Sequence, residues 1–245
     1  FISDDNISGI AEITDTQLNS SVEKIVAKLS NRFRSEKLYN EENLLEYIKI
    51  EDKEASKNIE LATAISGIRS AFLDLLSKRI GLKLNQYLSL NNSDELSGNV
   101  DLYANINRSL LPDDNGPLER SPSTFAKKAL SVEKRGFKTI KCAPFDECKS
   151  PFINNSGLPD EVNFGLDRIS GISESISKDI KLYVDCHSRF DLETSYLLHD
   201  ELFERNVKWF EEPIDPEKNQ EDTRSIKNIS KIDLAGAEMA YGYKT

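Results

Sequence analysis

Three short apolar runs in the second half of the chain each end in an acidic residue. These acids are Asp185, Glu211 and Glu238. Glu211 follows Asp185 by 26 residues and Glu238 follows Glu211 by 27, and either interval is close to the length of one strand, one helix and two loops. The carboxyl ends of parallel strands meet at one edge of a sheet. The spacing therefore predicts a parallel α/β fold with three carboxylates at the edge where such proteins keep their chemistry.

Segments of strand and helix character alternate through the last 146 residues. We expect five strands in a parallel sheet with right-handed crossovers, either open or closed into a barrel. The expected strands are 100–106, 137–143, 182–185, 207–211 and 232–237, and the expected helices between them are 123–134, 160–177, 192–204 and 217–229.

The first part of the chain has the 3.6-residue periodicity of helices. The strongest pattern covers residues 55–82, where apolar side chains populate most of the helix circumference, and a more polar helix is expected at 41–50. The composition then shifts to Asn, Ser, Asp and Gly at residues 91–98, which is typical of a domain boundary. We therefore expect two domains, residues 1–95 and 96–245.

The charge of the chain argues against some classes of partner. The formal net charge is −10 and the sequence pI is about 4.9, which disfavours binding to nucleic acid or to an anionic membrane. The three cysteines form no C-x-x-C pair, and no apolar segment approaches about 18 residues, so we expect a cytoplasmic protein. Because the chain begins at Phe1 rather than Met, we expect its natural N-terminus to lie upstream.

Three carboxylates at one sheet edge would repel one another. Either their pKa values rise or a hard divalent cation lies among them, and Mg²⁺ fits best because it takes carboxylate oxygens and keeps other positions for water or substrate. The alternative is that such acids only cap the following helices, as Asp191 is expected to do. The sequence predicts that Asp185, Glu211 and Glu238 bind Mg²⁺.

Two basic side chains are expected near the same edge. Lys141 lies at the end of an apolar strand, where it either pairs with an anion at the strand-end site or forms a salt bridge with one of the acids. His187 lies two residues after Asp185, so strand alternation predicts that both face the same side and that the imidazole serves as a general acid or base. A lone His is more often structural, which is the expectation for His199.

An ordered set of motifs resembles the mandelate racemase and muconate-lactonizing branch of the enolase superfamily. The motifs are AISGIRSAFLDLLSKRIGLKLNQYL at 64–88, GFKTIK at 136–141, VD at 184–185, WFEEP at 209–213 and AGAE at 235–238. The resemblance implies an α+β capping domain followed by a (β/α) TIM-type barrel. It also implies Mg²⁺ held by Asp185, Glu211 and Glu238, and abstraction of the proton α to a carboxylate.

Two details of the motifs favour dehydration over racemisation. Many members carry Lys-x-Lys on the second strand, with the second lysine as a base, whereas this chain has Lys141 followed by Cys142 and Ala143. The run from Asp185 to Arg189 is similar to the D-x-H-x-R pattern of acid-sugar dehydratases such as galactonate dehydratase. The resemblance implies that His187 protonates the leaving hydroxyl, that Lys141 helps to neutralise charge and that Arg189 binds the sugar-acid substrate.

The chain is short for this architecture. A (β/α) barrel takes about 250 residues, so we expect a barrel truncated after its fifth strand, with the α-proton base beyond Thr245 and exposed sheet edges that favour a homo-oligomer. The expected function is Mg²⁺-dependent dehydration of a sugar acid to a 2-keto-3-deoxy acid. The alternatives are a racemase, epimerase or cycloisomerase of the same superfamily, or a non-catalytic truncated relative.

Overall fold

The computed structural model of the chain describes residues 1–13, 21–50, 52–90, 99–107, 120–149 and 158–242. The described residues divide into two compact units. We call them the helical unit, Phe1–Asn99 with Met239–Thr245, and the sheet unit, Val100–Glu238. The segment 91–98, which was expected to hold the domain boundary, lies outside the described residues.

The helical unit contains five described helices. They are α1 (Val22–Phe33), α2 (Glu41–Ile48), α3 (Asp52–Ala55), α4 (Ile59–Arg79) and α5 (Leu84–Leu88). The single helix expected over 55–82 is divided, because the Asn58 side chain accepts a hydrogen bond from the backbone N–H of Leu61 at 3.0 Å and so caps a new helix. Among the described residues of this unit, β structure is limited to the isolated antiparallel bridge between Ile2 and Ser8.

The sheet unit alternates strands and helices as the sequence predicts. Its elements are β1 (Ala104–Asn105), α6 (Pro122–Lys134), β2 (Thr139–Cys142), α7 (Asp160–Ser175), β3 (Lys181–Asp185), α8 (Leu192–Glu204), β4 (Val207–Glu211), α9 (Gln220–Ile229) and β5 (Asp233–Ala235). The strands lie in the order β1-β2-β3-β4-β5 and every neighbouring pair is parallel. The prediction of a parallel α/β sheet is confirmed, although the first strand pairs over two residues rather than the seven expected.

The two faces of the sheet differ in chemistry. Ile140, Val184 and Phe210 are fully buried in one apolar cluster with side chains of α6, α7 and α8. Side chains alternate between faces along a strand, so residues of the other parity point to the opposite side. There Lys141 pairs in register with Tyr183, and Asp185 with Glu211. Lys141, Asp185 and Glu211 thus share the face opposite the helix-packed core.

Aromatic rings form a row across that second face. Tyr183 and Trp209 stack with ring centroids 4.8 Å apart, and Tyr103 meets Tyr183 edge-on at 6.2 Å. Rings of this size bury apolar area while the polar atoms of Tyr and Trp reach a partner. Within the described part of the chain, no helix is long and apolar enough to cross a membrane.

Candidate active site

Lys141 joins two of the predicted metal ligands. Its ammonium Nζ lies 2.9 Å from Asp185 Oδ2 and 2.7 Å from Glu211 Oε1, with all three side chains at most 12% exposed. Burial opposes a charge on Lys141, but hydrogen bonds to Glu211 and Asp185 outweigh that cost and raise its pKa. The ammonium is therefore charged at neutral pH, and it neutralises part of the negative charge at the strand ends.

His187 reaches the same carboxylate by a turn. The backbone of His187 has φ +48° and that of Ser188 has φ +56°, so the chain turns back after β3 instead of continuing as a strand. The turn brings the ring nitrogen Nε2 of His187 to 3.3 Å from Asp185 Oδ2. The backbone N–H of His187 donates a hydrogen bond to Asp185 Oδ1 at 3.0 Å. The two side chains do meet, but the predicted reason, strand alternation, was wrong.

The second nitrogen of the imidazole also has an acidic partner. His187 Nδ1 lies 2.7 Å from Asp146 Oδ1, and Asp146 follows β2. Hydrogen bonds to Asp146 and Asp185 outweigh the cost of burial and raise the pKa of His187 to about 10. Burial disfavours the ionised form of Asp185, but hydrogen bonds from His187 and Lys141 hold its pKa well below the ordinary value. An imidazolium and an ammonium therefore flank one carboxylate.

Glu212, the second acid of the EEP motif, links three strand ends. Its backbone has φ +38°, its side chain is buried, and its carboxylate accepts hydrogen bonds from Ser188 Oγ at 2.9 Å and from the backbone N–H of Glu238 at 3.0 Å. A Cβ at Gly236 would come within 3.0 Å of Glu212 Cγ, so the close approach favours glycine there. This role of Glu212 was not predicted from the sequence, although two adjacent acids before Pro213 are a local signal for it.

Glu238 lies near the other acids but outside the ion pairs that Lys141 forms with Asp185 and Glu211. The residue as a whole is exposed, but partial burial of its carboxyl group, together with the charges of Glu212 and Asp185, raises the pKa of Glu238. Across the described ranges, no three His, Cys, Asp or Glu side chains converge closely enough to hold a metal ion. The structure therefore brings Asp185 and Glu211 together around Lys141, with Glu238 near but outside that pairing.

The donor set nevertheless fits a hard cation in its chemistry. Asp185, Glu211 and Glu238 offer only carboxylate oxygens, the ligands that Mg²⁺ prefers. The raised pKa of Glu238 results in part from repulsion by the neighbouring carboxylates, and a divalent cation would relieve it. Two of the three acids already converge on one positive charge, the Lys141 ammonium. The residues fit Mg²⁺ by type and by electrostatics.

Arg189, the predicted substrate-binding residue, lies against the segment that follows β2. Its Nη1 donates to the backbone carbonyl of Cys148 at 2.9 Å, and its Nη2 lies 3.9 Å from Asp146 Oδ1. Within the described part of the chain, the buried Nε of Arg189 has no hydrogen-bond partner. The guanidinium therefore retains donor capacity near His187, and its role in substrate binding remains a prediction.

Two further polar residues have structural roles. His199 is buried, and its Nε2 accepts a hydrogen bond from the backbone N–H of Lys231 at 3.0 Å, which ties α8 to the segment before β5. Asp191 caps α8 by accepting from the backbone N–H of Thr194 at 2.8 Å. The helix-capping role expected for Asp191 is confirmed.

Known proteins resemble this chain in sequence and in fold. The model of the enolase C-terminal domain-like family matches residues 124–245. The D-gluconate/D-galactonate dehydratase of Picrophilus torridus is 28% identical over 214 residues, which cover 85% of this chain and 49% of that protein. The D-gluconate dehydratase of Thermoproteus tenax is 26% identical over 183 residues, covering 75% of this chain and 33% of the relative.

A solved structure has the same fold over almost the whole chain. A member of the enolase superfamily from Salmonella Typhimurium matches with a TM-score of 0.77 at 20% sequence identity, covering 97% of this chain and 62% of that one. At this identity the likeness shows the fold alone. The chain spans between a third and a half of the length of the two curated relatives above.

Proposed function

Because residues 124–245 place this chain in the enolase C-terminal domain-like family, we propose that it carries the metal-ligand edge of a Mg²⁺-dependent sugar-acid dehydratase. The curated relatives that it resembles are sugar-acid dehydratases of the same superfamily. The observation that carries the proposal is the position of the His187 imidazole, 3.3 Å from the carboxylate of Asp185. A proton donor thus lies beside a residue that would hold the metal.

In this proposal the metal ligands are Asp185, Glu211 and Glu238. The Mg²⁺ that they hold would neutralise negative charge on the substrate carboxylate as the α-proton leaves. The substrate is a small sugar acid, in keeping with the relatives. The magnesium, the reaction and the sugar-acid substrate are all parts of the proposal.

Lys141 and His187 have separate tasks in the reaction. A base removes the proton from C2 of the sugar acid, and the resulting electron pair expels the hydroxyl at C3. His187 donates its Nε2 proton to that hydroxyl, so water leaves and the enol product tautomerises to a 2-keto-3-deoxy acid. Lys141, charged and almost buried, adds positive potential beside the carboxyl group where charge develops. Arg189 would bind the polar end of the substrate.

The direct test is product analysis with the protein in its native form. The protein is incubated with Mg²⁺ and D-gluconate, D-galactonate or D-xylonate, and the 2-keto-3-deoxy acid is measured. We expect Mg²⁺-dependent product with at least one of these acids. His187→Asn should lower turnover at least about 100-fold, whereas Asp179→Asn, at an exposed ion pair with Lys138, should leave turnover unchanged.

Two outcomes would point to the alternatives. Inversion at C2 without loss of water would favour a racemase or epimerase of the superfamily. Absence of any turnover and of Mg²⁺ binding would favour a non-catalytic relative. Near-normal dehydration by His187→Asn would remove His187 from the role of general acid.

A further inference from the structure

Asp146 is a further acid at the carboxyl ends of the strands, and the proposed reaction does not use it. It follows β2, and its side chain is 17% exposed. Oδ1 lies 2.7 Å from His187 Nδ1, on the opposite side of the imidazole from the Asp185 carboxylate. The ring is therefore held between two carboxylates, one at each nitrogen.

Asp146 is itself held in place by polar neighbours. Its Oδ2 accepts a hydrogen bond from Asn107 Nδ2 at 2.9 Å and lies 3.6 Å from Arg120 Nη2. Arg120 Nη1 donates to Asn107 Oδ1 at 2.9 Å, and its Nη2 donates to the backbone carbonyl of Ala143 at the same distance. Oδ2 of Asp146 thus faces Asn107 and Arg120, and Oδ1 faces the imidazole of His187.

A buried arginine, Arg168, binds backbone and side-chain atoms next to Asp146. Arg168 on α7 is 3% exposed, and it donates to the backbone carbonyls of Arg120 and Pro144 at 2.6 Å each. It also forms a two-point ion pair with Glu147, with N···O distances of 2.7 and 3.0 Å. Bidentate pairs of this kind restrict orientation as well as adding energy. Asp146 is therefore surrounded by hydrogen bonds and ion pairs that connect Asn107, Arg120 and Arg168 to the residues after β2.

From this arrangement we propose that Asp146 is the positioning residue of His187. Asp146 accepts a hydrogen bond from the Nδ1–H of His187 and so keeps that proton on Nδ1. Nε2 is then the nitrogen that gives its proton to the leaving hydroxyl. Asp146 also holds the ring plane with Nε2 toward Asp185. This inference rests on the proposed dehydratase function for its kinetic consequences, but its structural core, the Nδ1–H···Asp146 bond, can be tested without any substrate.

The substrate-free test uses the fact that the chain has only two histidines. Protein labelled with ¹⁵N-histidine is compared with its Asp146→Asn and His199→Gln variants by NMR, and His199→Gln identifies which signals belong to His187. We expect a strongly downfield Nδ1–H signal from His187 that disappears in Asp146→Asn. The same signal in wild type and in Asp146→Asn would overturn the proposal whether or not the protein is a dehydratase.

The kinetic test separates positioning from general damage to the site. We expect Asp146→Asn to lower kcat for water loss by about 10- to 100-fold, with KM changed by less than about twofold and partial recovery in Asp146→Glu. Exchange of the C2 proton with D₂O should continue, because the base is intact. Elimination of fluoride from a 3-deoxy-3-fluoro sugar acid should be nearly normal, because fluoride needs less help from an acid than hydroxide does.

The controls make the outcomes distinct. His187→Asn should show the same selective loss as Asp146→Asn, and Asp179→Asn should behave as wild type. Equal losses of water elimination, fluoride elimination and C2 exchange in Asp146→Asn would assign Asp146 a purely structural role and overturn the proposal. A wild-type protein that shows the NMR signal but never releases water would refute the dehydratase function and leave the Asp146–His187 bond established.

Discussion

The ammonium of Lys141 lies between the carboxylates of Asp185 and Glu211, at 2.9 and 2.7 Å. Strands β2, β3 and β4 are neighbours in the sheet, so one cation serves acids from two other strands. A buried charge that loses its partner is costly because little solvent replaces the lost interaction. Lys141 therefore stabilises the very edge at which we propose that Mg²⁺ binds.

Lys141→Met should destabilise the chain most when no metal is present. It removes the cation that two nearly buried carboxylates share and leaves His187 beside Asp185 alone, so we expect the free energy of unfolding to fall by about 3 kcal/mol. Added Mg²⁺ should then raise the melting temperature more in Lys141→Met than in wild type. Lys138→Gln, which removes an exposed lysine, is the matched control and should change little. Equal effects of the two variants in urea unfolding would contradict this reasoning.

Trp209 should report metal binding. It is the only tryptophan in the sequence, its Nε1 donates to Glu211 Oε2 at 2.8 Å, and its ring stacks on Tyr183. A metal bound to Glu211 changes that hydrogen bond, so Mg²⁺ should shift the fluorescence emission of Trp209 in a saturable titration. Glu211→Gln should abolish the response and Glu217→Gln should keep it. A response that survives in Glu211→Gln would exclude Glu211 as a ligand.

Glu212→Gln should loosen the ends of three strands. The two carboxylate oxygens of Glu212 accept one hydrogen bond each, from Ser188 and from the backbone of Glu238, and in the amide one of these oxygens becomes an NH2 group that cannot accept. We expect the free energy of unfolding to fall by about 1–3 kcal/mol. Mg²⁺ binding should also weaken, because the hydrogen bond from the backbone N–H of Glu238 to Glu212 helps to position Glu238. Urea unfolding and Mg²⁺ titration measure these effects. Exposed Glu217→Gln is the control, and stability equal to that control would refute the role of Glu212.

The Arg168–Glu147 ion pair should make stability depend on pH in the acid range. Burial opposes ionisation of Glu147, but hydrogen bonds from Arg168 and Arg120 outweigh it and lower the pKa of Glu147 below its ordinary value of 4.5. The pair thus contributes stability above about pH 4.5, and this contribution is lost as the pH falls through the lower, folded-state pKa.

The measurement compares the free energy of unfolding of wild type and Glu147→Gln between pH 7 and pH 3. We expect wild type to be more stable at pH 7 and the difference to shrink below about pH 4.5, because the protonated Glu147 then resembles the amide. Asp179→Asn, which alters an exposed pair, serves as the control. A difference that stays constant over the whole range would show that the ionised form of Glu147 adds nothing.

Much of the site could be predicted because its residues follow apolar strands at regular intervals. Lys141, Asp185 and Glu211 are all at or near the ends of β2, β3 and β4, and parallel strands in sequential order bring those ends together. Asp146 also lies just after β2, but it falls between the expected strand 137–143 and the expected helix 160–177, in a stretch for which no element was predicted. Its contact with His187 joins residues 41 apart in the sequence, which no local pattern encodes.

The sequence by itself determined the alternation of strands and helices, the parallel sheet and the acids at its edge, since hydrophobic periodicity and spacing act along the chain. Only the tertiary structure decided which side chains meet. The left-handed backbone of His187 and Glu212 turns these side chains toward Asp185 and Ser188, against the preference of single residues. Such conformations persist because contacts from distant segments, including those of Asp146 and Glu238, offset their cost.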